Sequence, residues 1–182
     1  MVTAGDVREL LDRLDAAGIE WWIDGGWGID ALLGEETRPH DDLDLAVARA
    51  DLERIQAAFP DFRHVPDEWW PARYVLRDER GRQVDLHPLE FDERGDGWQE
   101  QPDGTRARWP REGLAGRGTI GGRDVRCLTP ELQVRFHDYP DPDDVDWDDM
   151  RVLRERFGLA PPPAYRRRPR HVDPKRSSAR PR

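Results

Sequence analysis

The chain has 182 residues, of which 37% are charged and 36% hydrophobic, with eight tryptophans and a formal net charge of −9. Its length suits a single domain, and so many tryptophans exclude a disordered chain. The single cysteine, Cys127, excludes an intrachain disulfide. Because neither a signal-peptide pattern nor an apolar run of membrane length occurs, we expect a cytoplasmic protein without a membrane partner.

The first elements follow from hydrophobic spacing and from glycine. Apolar residues at helical spacing follow Thr3 and stop before Gly18, which predicts an amphipathic helix. Residues 21–23 read as a short strand. The pair Gly25-Gly26 then separates this strand from a second helix, predicted over residues 27–33 and ended by the next glycine.

The middle of the chain predicts three more strands. One covers residues 43–47 and is followed by a helix over residues 51–59, with Asp at its first position as the cap. Residues 74–76 and 83–86 read as neighbouring strands joined by a polar turn. This pairing would place Asp85 beside the strand 43–47.

The second half is predicted as a loop, a hairpin and two helices. Residues 92–118 are rich in glycine and charge, with Trp98 and Trp109 as anchors, and are expected to form a long functional loop or a lid. Residues 119–127 read as a hairpin around a double glycine. Helices are predicted after Thr129, with proline at their first position, and over residues 145–157.

Charge is distributed unevenly along the chain. Residues 165–182 hold eight Lys and Arg residues against Asp173 alone, so the rest is more acidic than the net charge of −9. This proline-rich basic tail is predicted to be disordered, either without a specific role or as a contact for nucleic acid or anionic surfaces. The acidic body argues against nucleic acid as the main partner and favours cationic small molecules.

Asp42 and Asp44 alternate with Leu43 and Leu45. Asp44 lies within the predicted strand 43–47, and Asp42 directly precedes it. In a strand the two carboxylates share one face and repel each other, so a divalent cation between them is favourable. Magnesium fits, because it binds one or two carboxylates together with substrate phosphates. The alternative is a pair of solvent-facing acids. Asp41 should point the other way, as a helper or as loop charge.

Two further features point to the same chemistry. Asp85 lies between Val84 and Leu86, where an acid needs a partner. It would complete the metal site or accept a proton from an attacking hydroxyl, unless it forms an ion pair with an arginine, Arg73 or Arg82 being the candidates. Gly25-Gly26 would let backbone amides approach a phosphate at a helix N-terminus, or would be only a tight turn.

The remaining acids and aromatic residues allow a structural interpretation as well as a functional one. The acidic run 141–149 lacks the glycine and glutamate of a calcium-binding loop, and it suits the start of a helix. Acids between residues 90 and 96 would bind ammonium groups of a substrate or form a solvated face. Trp69 and Trp70 would belong to the core or rim, with stacking on a base or sugar as the alternative.

Two stretches carry a family resemblance. Residues 22–34 read Trp-Ile-Asp-Gly-Gly-Trp-Gly-Ile-Asp-Ala-Leu-Leu-Gly, and residues 37–45 read Thr-Arg-Pro-His-Asp-Asp-Leu-Asp-Leu. They resemble the antibiotic nucleotidyltransferases that adenylylate aminoglycosides and lincosamides. Asp85, the following His87-Pro88 and the hairpin and helix over residues 122–136 extend the resemblance. It covers roughly residues 7–159 and omits the basic tail.

The resemblance implies an α/β (α+β) fold, a nucleotidyltransferase core with a mixed sheet flanked by helices. The expected division is a core over residues 1–128, a helical segment over 129–160 packed on it, and the basic tail over 161–182. It also implies Mg²⁺ and ATP as cofactor and nucleotide donor.

Site roles also follow from the resemblance. Asp42 and Asp44 would bind Mg²⁺, and Asp85 would be the third carboxylate, as ligand or general base. Gly25 and Gly26 would hold the triphosphate. Two residues just ahead of the acids would contact phosphate or brace their loop, with an ordinary loop role as the alternative: Arg38 and His40.

The predicted function is therefore Mg²⁺-dependent transfer of AMP from ATP to a hydroxyl of an aminoglycoside or lincosamide, by a monomer or homodimer. A protein or RNA acceptor is the first alternative, since the basic tail of residues 161–182 would suit it. An inactive nucleotide-binding module is the second, although it would not need three mutually repelling acids. A glycosyltransferase with an Asp-x-Asp metal site ranks last.

Overall fold

The computed structural model describes residues 1–166, and most of the predicted disordered tail lies outside that part. Within it the prediction was wrong, because Pro163–Tyr165 form a short 3₁₀ turn and Tyr165 is buried. Helices of this part are α1 (Ala4–Ala16), α2 (Gly25–Leu33), α3 (Leu52–Ala58), α4 (Pro130–Phe136) and α5 (Asp144–Phe157). Its strands are β1 (Trp21–Ile23), β2 (Asp42–Ala48), β3 (Phe62–Val65), β4 (Tyr74–Asp78), β5 (Gln83–Phe91), β6 (Gly97–Glu100), β7 (Arg106–Trp109), β8 (Gly116–Ile120) and β9 (Arg123–Cys127).

These strands form one mixed sheet in the order β3-β4-β5-β2-β1-β9-β8, and β6 and β7 extend it from the end of β5. β2 runs parallel to β5 and antiparallel to β1, while β1 runs parallel to β9. The mixed sheet with flanking helices is the fold expected from the sequence. None of the helices in residues 1–166 has the length and apolarity needed to cross a membrane.

The N-terminal helix forms as its sequence predicts. Thr3 accepts a hydrogen bond from the Asp6 amide, and the Asp6 side chain accepts one from the Thr3 amide, which closes a capping box. Four apolar residues at helical spacing are fully buried against the sheet: Val7, Leu10, Leu11 and Leu14. The helix therefore contributes its apolar face to the main core that it shares with the sheet.

The pairing of β2 with β5 confirms the predicted neighbourhood of the acids. Asp44 lies opposite Asp85, and Asp42 lies opposite Gln83, in a parallel register. Leu43 and Leu45 point to the other face and are fully buried. The alternation therefore places the polar chemistry on one face and the core on the other.

The prediction of a long loop over residues 92–118 was wrong. This stretch contains β6 and β7, which form an antiparallel hairpin on β5, and then β8. Asp96 stabilises the hairpin, since its carboxylate accepts hydrogen bonds from Arg108 and from the Arg111 amide. Trp109 is buried against Phe136. The Asp96 carboxylate and one buried indole therefore order, through contacts distant in sequence, a segment that composition alone marks as a loop.

Other differences are local. α2 begins at Gly25 instead of residue 27, because Asp24 caps it. β3 was not predicted, since only two of its four residues are apolar. Asp51 ends a short 3₁₀ turn and makes no side-chain cap on α3. It forms an ion pair with Arg54 instead.

Candidate active site

Three carboxylates meet where β2 and β5 run side by side. Asp44 and Asp85 face each other across the two strands, with Asp42 two residues away. The Asp85 side chain is almost completely buried; its carboxylate accepts a hydrogen bond of 2.8 Å from Gln83 and lies 3.3 Å from Arg73. The arginine partner that the sequence allowed is therefore Arg73, and Arg73 is shared with Asp67 at 2.6 Å.

Burial and like charge both raise the pKa values of acids in this cluster. Burial raises the pKa of Asp42 to about 7, and the charges of Asp44 and Asp85 add to the shift. Burial and the charge of Asp44 also raise the pKa of Asp85, against the opposing effect of Gln83 and Arg73. One shared arginine does not neutralise three acids, so a bound cation would relieve their repulsion.

The donor set fits Mg²⁺ through two carboxylates. Among residues 1–166 no three His, Cys, Asp or Glu side chains already stand in a metal-binding arrangement. Mg²⁺ does not need such a cage, because it keeps several waters and takes substrate phosphates as ligands. Asp42 and Asp44, adjacent on one face of β2, supply hard oxygen ligands of the kind that it requires.

The double glycine allows the acids to approach the start of α2. Gly25 has φ +58, and a Cβ there would collide with the Asp44 carboxylate. A Cβ on Gly26 would lie 2.5 Å from His40 Nδ1 and 2.6 Å from Arg38 Nη2. The Gly25 amide donates to Asp24 at 2.7 Å. Phosphate binding by these glycines stays a prediction. The geometry adds a steric reason why neither position accommodates a side chain.

Arg38 and His40 are held by acids of two helices. His40 Nε2 lies 2.6 Å from Asp30 of α2, and both side chains are buried. The Arg38 guanidinium makes a bidentate pair with Asp149 of α5, with contacts of 2.9 and 2.6 Å. These contacts brace the loop before β2, and phosphate contact by either residue stays a prediction.

A cleft of about 400 Å³ opens beside the acids. Its walls combine aromatic and polar side chains: Trp69, Trp109, Phe136, Asp24, Arg73, His87, Gln99 and Gln101, with two alanines between them. Trp69 and Trp70 are both about half exposed; Trp69 lines the cleft, and Trp70 packs edge-on against Tyr74. The cleft has the mixed apolar and polar lining typical of small-molecule sites.

Two of these residues were not assigned a role from the sequence. His87 Nε2 lies 3.3 Å from Asp44, and burial alone would lower the pKa of His87, but that contact and nearby carboxylates raise it. Asp24 is buried, and burial raises its pKa. The period of two along β5 puts His87 on the face of Asp85, so strand alternation could have identified it. A helix cap such as Asp24 gives no comparable signal.

The other acids have structural partners. Asp143 caps α5, and Asp149 binds Arg38. In the turn between β5 and β6, the carboxylate of Asp92 accepts a hydrogen bond from Trp98. Glu90 pairs with Arg106 at 2.6 Å. None of these acids lines the cleft within the described part of the chain.

The chain is similar to known antibiotic nucleotidyltransferases. The family model described as aminoglycoside-2''-adenylyltransferase matches residues 6–153. A lincosamide resistance protein of Staphylococcus haemolyticus is 26% identical over 154 residues, 84% of this chain and 95% of the relative. A 2''-aminoglycoside nucleotidyltransferase of Escherichia coli is 31% identical over 160 residues, 85% of this chain and 83% of the relative.

A solved structure resembles this fold closely. The crystal structure of a lincosamide antibiotic adenylyltransferase with bound lincomycin superposes with a TM-score of 0.75 and 26% sequence identity. The match covers 84% of this chain and 97% of that one. The similarity therefore extends over nearly the whole of the related structure.

Proposed function

The chain belongs to the aminoglycoside-2''-adenylyltransferase family, and from that premise we propose that it transfers AMP from Mg²⁺-ATP to a hydroxyl of a cationic antibiotic. The observation that carries this proposal is the register of β2 and β5, which sets Asp42, Asp44 and Asp85 together beside the start of α2. An acceptor cleft adjoins these acids.

Asp42 and Asp44 are the proposed Mg²⁺ ligands. Bound magnesium would neutralise phosphate charge and favour in-line displacement at the α-phosphorus. Gly26 lies in the first turn of α2, where backbone amides lack intrahelical acceptors and suit phosphate oxygens. Arg38, with Nη2 beside Gly26, adds positive charge on the same side.

Asp85 is the proposed general base. Its buried carboxylate has a raised pKa, which strengthens it as a proton acceptor. In the proposed step the acceptor hydroxyl oxygen bonds to the α-phosphorus, the bond to pyrophosphate breaks, and Asp85 takes the hydroxyl proton. Arg73, 3.3 Å from Asp85, opposes the rise of that pKa and so favours the ionised form that this role requires.

The lining of the cleft favours a lincosamide among the two antibiotic classes. Asp24 is its one carboxylate among the described lining residues, and Arg73 and His87 stand in the same wall. An aminoglycoside, with several ammonium groups, would meet one acid and an arginine in this cleft. A lincosamide, with a single amine, a sugar and an apolar part, would match the acid and the aromatic walls. An aminoglycoside acceptor is the second candidate, supported by the 31% identical relative.

The test is pyrophosphate release with Mg²⁺ and ATP over a panel of lincosamides, aminoglycosides and a drug-free blank. Wild type and Asp41→Asn, an exposed neighbour of the cluster, should release pyrophosphate with one drug class. Asp44→Asn should not. Release without any drug, or with equal rates in Asp44→Asn, would contradict the proposal, and nucleotide binding without release on any drug would favour a protein or RNA acceptor.

A further inference from the structure

A chain of hydrogen bonds connects the β6–β7 hairpin to Asp44. The Trp109 indole donates to Gln99 Oε1 at 3.2 Å, and Gln99 Nε2 lies 3.3 Å from His87 Nδ1. On its other side, His87 Nε2 lies 3.3 Å from Asp44 Oδ1. Trp109 and Gln99 are both buried. The chain therefore runs through four side chains on β7, β6, β5 and β2.

The orientation of the Gln99 amide is determined by its neighbours. An indole N–H only donates, so Gln99 must turn its oxygen to Trp109. The amide of Gln101 donates to that same oxygen at 3.1 Å, and the Ala72 carbonyl accepts from Gln99 Nε2 at 2.8 Å. All three contacts agree, so Gln99 Nε2 is the atom that faces His87.

This orientation selects one form of the His87 ring. Because Gln99 presents N–H groups, Nδ1 of the neutral His87 ring must accept and carries no proton. The neutral ring then holds its proton on Nε2, directed at Asp44 Oδ1. Nearby carboxylates favour protonation of both nitrogens, but an Nδ1–H would meet the amide hydrogens of Gln99. The hydrogen-bond polarity of the buried amide therefore favours the Nε2–H tautomer.

We propose that Gln99 is a positioning residue, supported by Trp109, which locks His87 as an Nε2–H donor and thereby orients Asp44 for metal binding. Asp44 is held from two sides: Oδ1 faces His87, and Oδ2 lies over Gly25, where no side chain fits. The inference rests on the proposed function only in giving Asp44 the metal; the tautomer itself is a property of the protein alone. Partners that orient a metal ligand are known to affect metal affinity strongly.

The test begins with the wild-type protein and needs no activity. Nitrogen-15 NMR of the histidine rings at alkaline pH, where the ring is neutral, with His87 assigned by its loss in His87→Gln, distinguishes the two tautomers. The expected result is a pyridine-type Nδ1 and a pyrrole-type Nε2. A pyrrole-type Nδ1 with a pyridine-type Nε2 would overturn the proposal even if the enzyme is an active nucleotidyltransferase.

Variants then test the step from tautomer to Asp44. Gln99→Met removes the N–H groups at similar length and should give a tautomer mixture and weaken Mn²⁺ binding roughly tenfold or more. Trp109→Phe should have a smaller effect, because Gln101 and Ala72 still orient the amide. Trp98→Phe is the matched control, since the Trp98 indole donates to Asp92 in the β5–β6 turn and takes no part in the chain to Asp44.

Two results separate this proposal from the proposed function. If Gln99→Met keeps both the wild-type tautomer and the wild-type Mn²⁺ affinity while folding normally, the positioning role is excluded. If wild type binds no Mn²⁺ at all, the metal role of Asp44 fails, while the NMR result on His87 still decides the tautomer.

Discussion

Two groups of acids lie near the β4–β5 hairpin, and they differ in how far neighbouring positive charge neutralises them. Beside the turn, Arg82 is buried and bonds Asp78 at 2.6 Å, and its guanidinium also reaches Glu9 at 3.1 Å. Two more acids, Asp6 and Asp61, surround the same arginine at 3.3 and 3.4 Å. On β2 and β5, Arg73 lies 3.3 Å from Asp85 but is also bound to Asp67, and His87 lies 3.3 Å from Asp44.

The difference shows in the pKa values. Despite burial, hydrogen bonds from Arg82 hold the pKa of Asp78 below its usual value. Burial and mutual repulsion instead raise the pKa of Asp42 and Asp85. Acids that the fold uses for stability come with their counter-charge, whereas the β2–β5 cluster has more carboxylates than Arg73 and His87 can neutralise. This excess of negative charge is the strongest structural argument that the cluster binds a cation.

The largest expected effect is on catalysis. Asp85→Asn removes the proposed proton acceptor, so kcat should fall by roughly 10²–10⁴-fold. Because the amide keeps the shape of the carboxylate and removes a repulsive charge, the variant should fold at least as stably as wild type. Steady-state kinetics and chemical denaturation on the same preparation check both. A kcat within a few fold of wild type would remove Asp85 from the mechanism.

The second effect is on stability. Arg82→Met leaves Asp78 buried without its partner and should lower the free energy of unfolding by about 3–5 kcal/mol. Urea denaturation measures the loss. Arg80→Met is the matched control, because Arg80 is largely exposed and its contact with Asp6 is long, at 3.8 Å. Its free energy of unfolding should change by no more than about 0.5 kcal/mol. Equal effects of the two variants would show that the Arg82 cluster is not a structural centre.

The smallest expected effect is the pH dependence of stability that Asp42 causes. The folded pKa of Asp42 is about 7 against an ordinary 3.8, so the protonated acid stabilises the metal-free fold at low pH, and this contribution is lost as pH rises through that interval. Asp42→Asn should therefore gain stability on wild type between about pH 4 and 7, reaching on the order of 2 kcal/mol once partial exposure is considered.

Thermal denaturation of metal-free protein at several pH values follows this gain, with Asp41→Asn as the exposed control. The two proteins Asp42→Asn and wild type should unfold alike near pH 4, where both carry a neutral group at this position. A difference that is constant over the whole range would mean that ionisation of Asp42 is not its cause.

The acids could be predicted from the sequence, but half of the cleft could not. The alternation of Asp42 and Asp44 with buried leucines gives both the strand and the shared face, and a similar pattern around Asp85 gives its partner strand. The β6–β7 hairpin was missed because Asp96 and Trp109 order it through contacts distant in sequence. His87 and Gln99 acquire their arrangement only from that hairpin.

The most direct test compares one aspartate from each group. Calorimetric titration with a non-hydrolysable ATP analogue, with and without Mg²⁺, would be made on wild type, Asp44→Asn and Asp61→Asn. Our account predicts Mg²⁺-dependent nucleotide binding by wild type and Asp61→Asn, and loss of that dependence in Asp44→Asn. Binding by Asp44→Asn that still depends on Mg²⁺ as in wild type, or an equal loss in Asp61→Asn, would contradict the assignment of the unneutralised acids to the metal.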